Sequence, residues 1–216
     1  MRVAIYDLDR TLTPRPTFTP FLIHAARTQA RWRLAGLPVW ILAMIGYRLG
    51  LYSRTSLKRF GMRLMVGPLE RGQIDTLGEN FARHRIGEWG WVPAVKALLE
   101  EDREKGAKLV VATAAFGFYA AGFARALGID EVVATRWEGG EIPGGNCYGE
   151  TKRERVMAWM DEQGLNPQDV HIRFVSDSFA DEPLLEFADE AIFVTVSRRK
   201  AAQARAAGWR VIDPRP

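Results

Sequence analysis

Val3-Ala4-Ile5-Tyr6-Asp7-Leu8-Asp9-Arg10-Thr11-Leu12-Thr13 is the stretch whose reading decides the fold. An apolar run this short reads as a buried strand, and it stops at two carboxylates. In extended chain, residues i and i+2 project to the same side, roughly 6.5–7 Å apart from the rise per residue. Asp7 and Asp9 would repel there unless something cationic joins them; a hard divalent metal, a phosphoryl group, or both would fit the gap. Aspartate is also common in turns, so the pair alone reads as readily as an acidic turn. The rest of the chain decides between the two.

From Trp91 onward helix and strand alternate, the mark of an α/β doubly wound parallel sheet. Pro93–Lys105 reads as an amphipathic helix closed by Gly106, and Lys108–Ala112 as a second buried strand. A helix over Phe116–Leu127, a strand over Glu131–Thr135 and a Gly-rich loop or hairpin over Trp137–Tyr148 follow. Then come a helix over Thr151–Gln163 and strands over Val170–Ser176 and Ala191–Val196. A helix near Arg199–Ala207 and a short strand over Trp209–Ile212 end the chain. Between the first and second strands, Phe18 to about His84 is helical throughout, so a block of helices reads as an insertion. The expected organisation is a core of residues 1–13 and 90–216 with a helical cap over 14–89.

The 216 residues, 47% of them apolar, are enough for a substantial core. A single cysteine, Cys147, excludes an internal disulfide. Met1-Arg2 leads straight into a strand with no apolar leader, so a cytoplasmic location is expected, with peripheral membrane attachment as its variant. Charge is unevenly spread. Between Arg10 and Leu69 there is no acidic residue, while Arg10, Arg15, Arg27, Arg31, Arg33, Arg48, Arg54, Lys58, Arg59 and Arg63 all fall there. Such asymmetry points to an anionic partner. The same region holds the uncharged run Leu34–Tyr47, shorter than the roughly 20 residues that span a bilayer. It reads first as a buried helix of a small helical domain. Flanked by Arg31, Arg33 and Arg48, with Trp32, Trp40 and Tyr47 at hand, it reads second as an interfacial segment.

Ligands of open α/β sheets bind beyond the carboxyl ends of the strands. Asp7 and Asp9 stand at the first such end and Thr113 at the second, with Ala114 and Ala115 expected to open the next helix. Ser176-Asp177-Ser178 and Asp181 stand at the fourth, and Lys152 begins the preceding helix. Singly, Thr113 and Lys152 read as a helix cap and a surface lysine. Together with both aspartate pairs they read as the walls of one pocket.

Asp7-Leu-Asp-Arg-Thr-Leu12 resembles the DxDxT motif of the haloacid dehalogenase superfamily of phosphohydrolases. Thr113, Gly149-Glu-Thr-Lys152 and Ser176-Asp-Ser-Phe-Ala-Asp181 resemble its second, third and fourth motifs, in order. The insertion after the first motif matches the placement of a C1 cap, and with Asn146–Lys152 it is similar to the phosphoserine-phosphatase-like subfamily IB. The resemblance implies a phosphomonoester hydrolase with a Rossmann-like core. In it Asp7 is the nucleophile that forms an aspartyl-phosphate, and Asp9 is the general acid and then base. It further implies Mg²⁺ held among Asp7, the Asp9 carbonyl and Asp177, with Asp181 holding a metal-bound water or orienting Lys152. Thr113, the Ala114 N–H and Lys152 would bind the phosphoryl oxygens. The second aspartate also separates the chain from the dehalogenases that lack it.

Phosphoserine phosphatases carry a glutamate soon after the first motif for the substrate's amino group; here no acidic residue follows Asp9 before Glu70. The expected partner is therefore another phosphorylated small molecule, a phospholipid-type monoester being the lead, and the basic apolar cap could touch membrane. Nucleic acid is not expected. Rival readings are a phosphotransferase of the same fold and a non-catalytic module that holds a membrane or nucleic acid on its basic face. His24, His84 and His171 share no metal-ligand spacing, and Cys147 reads as a small core residue. Gly139–Gly149 lacks the Gly-Lys-Ser/Thr ending of a P-loop and reads as a flap over the site.

Overall fold

Val3 to Tyr6 are buried on both faces because their strand lies in the middle of a sheet. In the computed structural model, which describes residues 1–215, β1 is Arg2–Tyr6, β2 Lys108–Phe116 and β3 Glu131–Thr135. The later strands are β4 (His171–Ser176), β5 (Glu190–Val194) and β6 (Arg210–Ile212). They form one parallel sheet in the order β3-β2-β1-β4-β5-β6, the α/β Rossmann-like arrangement the alternating pattern implies. The chain runs outward from β1 to β3, then returns to start again at β4 beside β1. That reversal places the switch point at the carboxyl ends of β1 and β4.

Side chains of period two feed two layers. Val3 and Ile5 join Val110, Ile172 and Phe174 under α7 (Glu150–Glu162), α8 (Glu182–Phe187) and α9 (Arg198–Ala206). Ala4, Tyr6 and Val111 face the other layer, of α5 (Pro93–Glu104), α6 (Gly117–Ala126) and the inserted helices.

The insertion consists of α1 (Phe18–Gln29), a 3₁₀ stretch at Arg31–Gly36, α2 (Leu37–Arg48), α3 (Arg54–Gly61), a π turn at Met62–Val66 and α4 (Arg71–Trp89). Pro38 sits in the first turn of α2, where its missing N–H costs nothing. The helices grip α6 through aromatic rings: Phe21 stacks on Tyr119 with centroids 5.0 Å apart, and Phe81 meets Phe123 at 6.0 Å. At Gly78 a Cβ would stand 2.4 Å from the Phe118 carbonyl oxygen, so the close approach of α4 to α6 requires glycine.

Two details differ from the sequence expectation. β2 continues to Phe116 and α6 begins only at Gly117, because the β2–β3 register slips between Thr113 and Phe116. Ala114 and Ala115 therefore lie in a bulge of extended chain and do not open the helix. The short α8 and a 3₁₀ turn at Phe179–Asp181 lie where no helical period was long enough to read.

Below the sheet, Asp102 of α5 is buried between two strands. Tyr6 donates its hydroxyl to Asp102 Oδ2 at 2.5 Å, and Arg173 donates Nη1 to Oδ1 at 2.5 Å and Nε to Glu190 at 2.8 Å. Burial first, then the Asp102 carboxylate, pushes the Tyr6 phenol well above its ordinary pKa, so it remains a donor. Asp102→Ala leaves the phenol unpaired and the buried guanidinium half-paired. The expected loss is about 3–5 kcal/mol of stability in urea unfolding; a loss near zero would show that the cluster does not tie α5 to the sheet.

Candidate active site

The turn that leaves β1 sets the first two carboxylates. The Thr13 N–H and hydroxyl both donate to the Leu8 carbonyl at 2.9 Å, which folds residues 8–13 into a tight loop. Arg10 closes it with φ at 60°, the only non-glycine residue with positive φ among the described residues. A left-handed arginine is disfavoured by about 1–2 kcal/mol, so the surrounding bonds must hold it there. Asp7 is buried and its N–H donates to the Val175 carbonyl at 2.9 Å, which locks it to the neighbouring strand end. Asp9 Oδ1 accepts both the N–H of Thr17 at 2.8 Å and its hydroxyl at 2.7 Å, so the start of α1 orients that carboxylate.

Lys152, in the first turn of α7, is fully buried against these groups. Its Nζ donates to Asp7 Oδ1 at 2.9 Å and to Asp181 Oδ2 at 2.7 Å. The Ser176 hydroxyl adds a bond to Asp181 Oδ2 at 2.7 Å, while Asp181 Oδ1 is buried without a hydrogen-bond partner. Burial works against the ammonium, but the Asp181 and Asp7 carboxylates outweigh it and hold the Lys152 pKa above its ordinary value. One ammonium does not balance the cluster. Burial pushes Asp7 up to about 7, Lys152 opposes it, and Asp181, Asp177 and Asp9 add to the rise. Burial likewise pushes Asp177 up to about 6, against Lys200 and Arg10.

Asp7, Asp9, Thr113, Ala114, Lys152, Asp177 and Asp181 all line one cavity of about 260 Å³. Thr113 is buried and its Oγ accepts the Ala115 N–H at 3.0 Å, which leaves its proton free for the cavity. Ala114 is present, but in the bulge rather than at a helix start. The four aspartates lie around the cavity without forming a ready-made ligand cluster; among the described residues no three His, Cys, Asp or Glu side chains converge as one. The donor set nevertheless fits a hard divalent cation such as Mg²⁺. It is all oxygen, it carries surplus negative charge, and it includes a buried, unpartnered oxygen on Asp181. Cys147 is buried with its thiol pKa raised, chiefly by burial, and is a core side chain, not a nucleophile.

The inserted helices contribute groups that the sequence pattern did not single out. Arg54, at the start of α3, lines the cavity with its guanidinium 4.1 Å from the Tyr148 ring centroid, and Tyr148 and Lys200 line it too. Lys58, one turn on, is buried. Its Nζ donates to the Ala114 carbonyl and, at 2.7 Å, to Asn146 Oδ1. The readable signal was a lysine beside Leu57 on the core-facing side of a helix, where an unpaired charge is rare. The Gly-rich loop closes on the same helices: Glu141 pairs with Arg59 at 2.6 Å and with Arg63 at 2.5 Å. A neighbouring cavity of about 570 Å³, walled by Trp89, Trp91 and Val196, shares Arg10, Asp177 and Lys200 with the first.

The fold agrees with comparison to known proteins. Residues 4–186 match the model of the haloacid dehalogenase-like hydrolases, and the chain belongs to that family. It is 29% identical over 199 residues to Protein CicA of Caulobacter vibrioides, covering 87% of this chain and 83% of that one. Among solved structures, a protein of unknown function from Bordetella pertussis Tohama I superposes with a TM-score of 0.88 at 28% identity, over 99% of this chain and 98% of that one. A phospho-aspartyl intermediate analogue of phosphoserine phosphatase shares the fold, with a TM-score of 0.59 at 16% identity over 99% and 93% of the two chains.

Lys58 supplies a pH test of how the insertion meets the core. Burial lowers its amine pKa to about 7; Arg54 adds to the lowering and so does Lys152, while Asp9 and Cys147 oppose it. The Phe18 and Phe116 rings, 5.4 and 4.8 Å away, favour the ammonium by less than its burial costs. The unfolded chain keeps this proton to about pH 10.4. Between those values the unfolded state binds more protons, so Lys58 makes stability rise with pH. In urea titrations at a series of pH values from 7 upward, wild type should gain stability relative to Lys58→Met. Parallel curves would mean that the buried amine stays charged.

Proposed function

We propose that the protein is a Mg²⁺-dependent phosphomonoester hydrolase that works through an aspartyl-phosphate on Asp7. The observation that carries the reading is the Asp7–Lys152–Asp181 chain at the switch point of the sheet, where a nucleophilic carboxylate is fixed by one oxygen beside a cavity. Family membership makes hydrolysis the general chemistry, and the likeness to a phospho-aspartyl phosphoserine phosphatase supports the phosphoryl version of it.

In this mechanism the Asp7 carboxylate attacks phosphorus in line, and the bond from phosphorus to the leaving oxygen breaks. Asp9, aimed by Thr17, gives its proton to that leaving oxygen. Asp9 then takes a proton from water as the water oxygen attacks phosphorus, and the bond to Asp7 breaks. Lys152 and the free Thr113 hydroxyl proton face the charge on the phosphoryl oxygens, with the Ala114 N–H of the bulge as a third donor. Asp7, Asp177 and the Asp9 carbonyl are the groups that would hold Mg²⁺, with Asp181 beside them, and the ion would supply charge neutralisation where carboxylate meets phosphate.

The remaining polar walls support a substrate class. Arg10, Arg54 and Lys200 border the cavity, and every carboxylate in it belongs to the four already assigned. No acid is left to pair a substrate ammonium, which argues against phosphoserine. A monoester with further negative charge fits these walls.

With Mg²⁺, purified protein should hydrolyse members of a broad phosphomonoester panel, lose the activity to a chelator and regain it on re-addition of the ion. Asp9→Asn should lower kcat by about 10²–10⁴-fold, the usual worth of a general acid–base group. No turnover across the panel, or turnover indifferent to both chelation and Asp9→Asn, would overturn the proposal.

A further inference from the structure

Helix α2 is apolar on its solvent side. Ile41, Leu42 and Ile45 are 50%, 67% and 48% exposed, and Leu49 and Leu51, just past its end, are each 72% exposed. Trp32, in the preceding 3₁₀ stretch, is 73% exposed. Ile41, Ile45 and Leu49 recur at four-residue spacing and so share one face. Only Trp40 and Gly46 of α2 are buried, which is enough to seat the helix but not to explain its composition. An apolar face this continuous marks a contact surface.

The charges around it identify the occupant. Arg27 near the end of α1, Arg31 beside Trp32 in the 3₁₀ stretch and Arg48 at the end of α2 are exposed and make no ion pair among the described residues. With no acidic residue between Arg10 and Leu69, nothing on the segment offsets them. A second copy of this face would set arginine against arginine. A polyanionic sheet with an apolar interior satisfies both features, and the aromatic Trp32 suits the headgroup layer. Among the described residues no helix is long and apolar enough to cross a membrane. Twelve-residue α2 would therefore lie in the plane of the surface.

We infer that α2 and its flanking residues dock the protein on an anionic lipid surface, and that the phosphomonoester it hydrolyses is carried by a lipid. The second half rests on the phosphatase reading above. The chain links the two places directly: from Leu51 it passes through Tyr52, whose hydroxyl donates to the Ala43 carbonyl of α2, and Ser53, which caps α3, to Arg54 in the cavity wall. Docking on this face thus brings the cavity's arginine to within a few residues of the lipid contact.

Cosedimentation with phosphatidylcholine vesicles containing about a third phosphatidylglycerol tests the surface, with pure phosphatidylcholine as control. Wild type should sediment with the anionic vesicles and be released by added salt. Ile41→Ser/Leu42→Ser/Ile45→Ser and Arg27→Gln/Arg31→Gln/Arg48→Gln should each bind about tenfold more weakly or worse. Both should hydrolyse a small soluble phosphomonoester at the wild-type rate, which shows that they are folded. On vesicles carrying phosphatidate, wild type should release phosphate and both variants should lose most of that rate. Wild type left in the supernatant, variants that bind like wild type, or a dimer dispersed by the serine substitutions would overturn the docking surface. Soluble turnover and vesicle binding without phosphate release from phosphatidate would overturn the lipid substrate. Vesicle binding with no turnover of any soluble ester would instead count against the phosphatase reading and leave the docking surface standing.

Discussion

A single buried ammonium holds the site together. Lys152 reaches from the first turn of α7 to carboxylates that follow β1 and β4, two strand ends that diverging connections bring side by side. Without that charge, Asp7 and Asp181 would be two desolvated anions in contact distance of one another's partners, a costly arrangement. With it, the pair is held, although burial first and the neighbouring carboxylates after it still raise the pKa values of Asp7 and Asp177. Surplus negative charge of this kind suits a cation, and under the proposed mechanism that cation would offset the repulsion between the carboxylates and the phosphoryl group.

The second constraint is the roof. The inserted helices are fixed to the core by aromatic packing on α6 and by Lys58, whose amine satisfies the carbonyl of a bulged residue at the cavity wall. That one side chain joins α3, the β2 bulge and the Gly-rich loop through Asn146. Arg54, four residues earlier on the same helix, then faces the cavity, stacked on Tyr148. The arginine of the cavity wall and the lysine that ties the insertion to the core are consequently built on adjacent turns of one short helix, with the exposed apolar face of α2 just before it.

Local chemistry made much of this legible in the sequence. Strand-length apolar runs that end in Asp7, Thr113 and Asp177 needed no tertiary knowledge, and a parallel sheet does converge such ends. What escaped was set by distant partners. Lys58 meets Ala114 and Asn146 across 56 and 88 residues, and no local period announces such a contact. Ala114 read as a helix start because alanines follow Thr113, but pairing with β3 determines where the bulge falls and keeps the chain extended to Phe116. Arg10 was visible yet uninterpretable, since a left-handed conformation at a non-glycine residue is imposed by the Leu8–Thr13 turn rather than chosen by the residue.

Asp7 is the proposed acceptor of the phosphoryl group. Rapid acid quench during turnover of a reactive soluble phosphomonoester, followed by peptide mapping by mass spectrometry, tests it most directly. One phosphoryl group should be found on the peptide that contains Asp7, and it should be absent from Asp7→Asn protein. Phosphate on any other residue, or turnover that persists in Asp7→Asn with no phosphoenzyme formed, would contradict it.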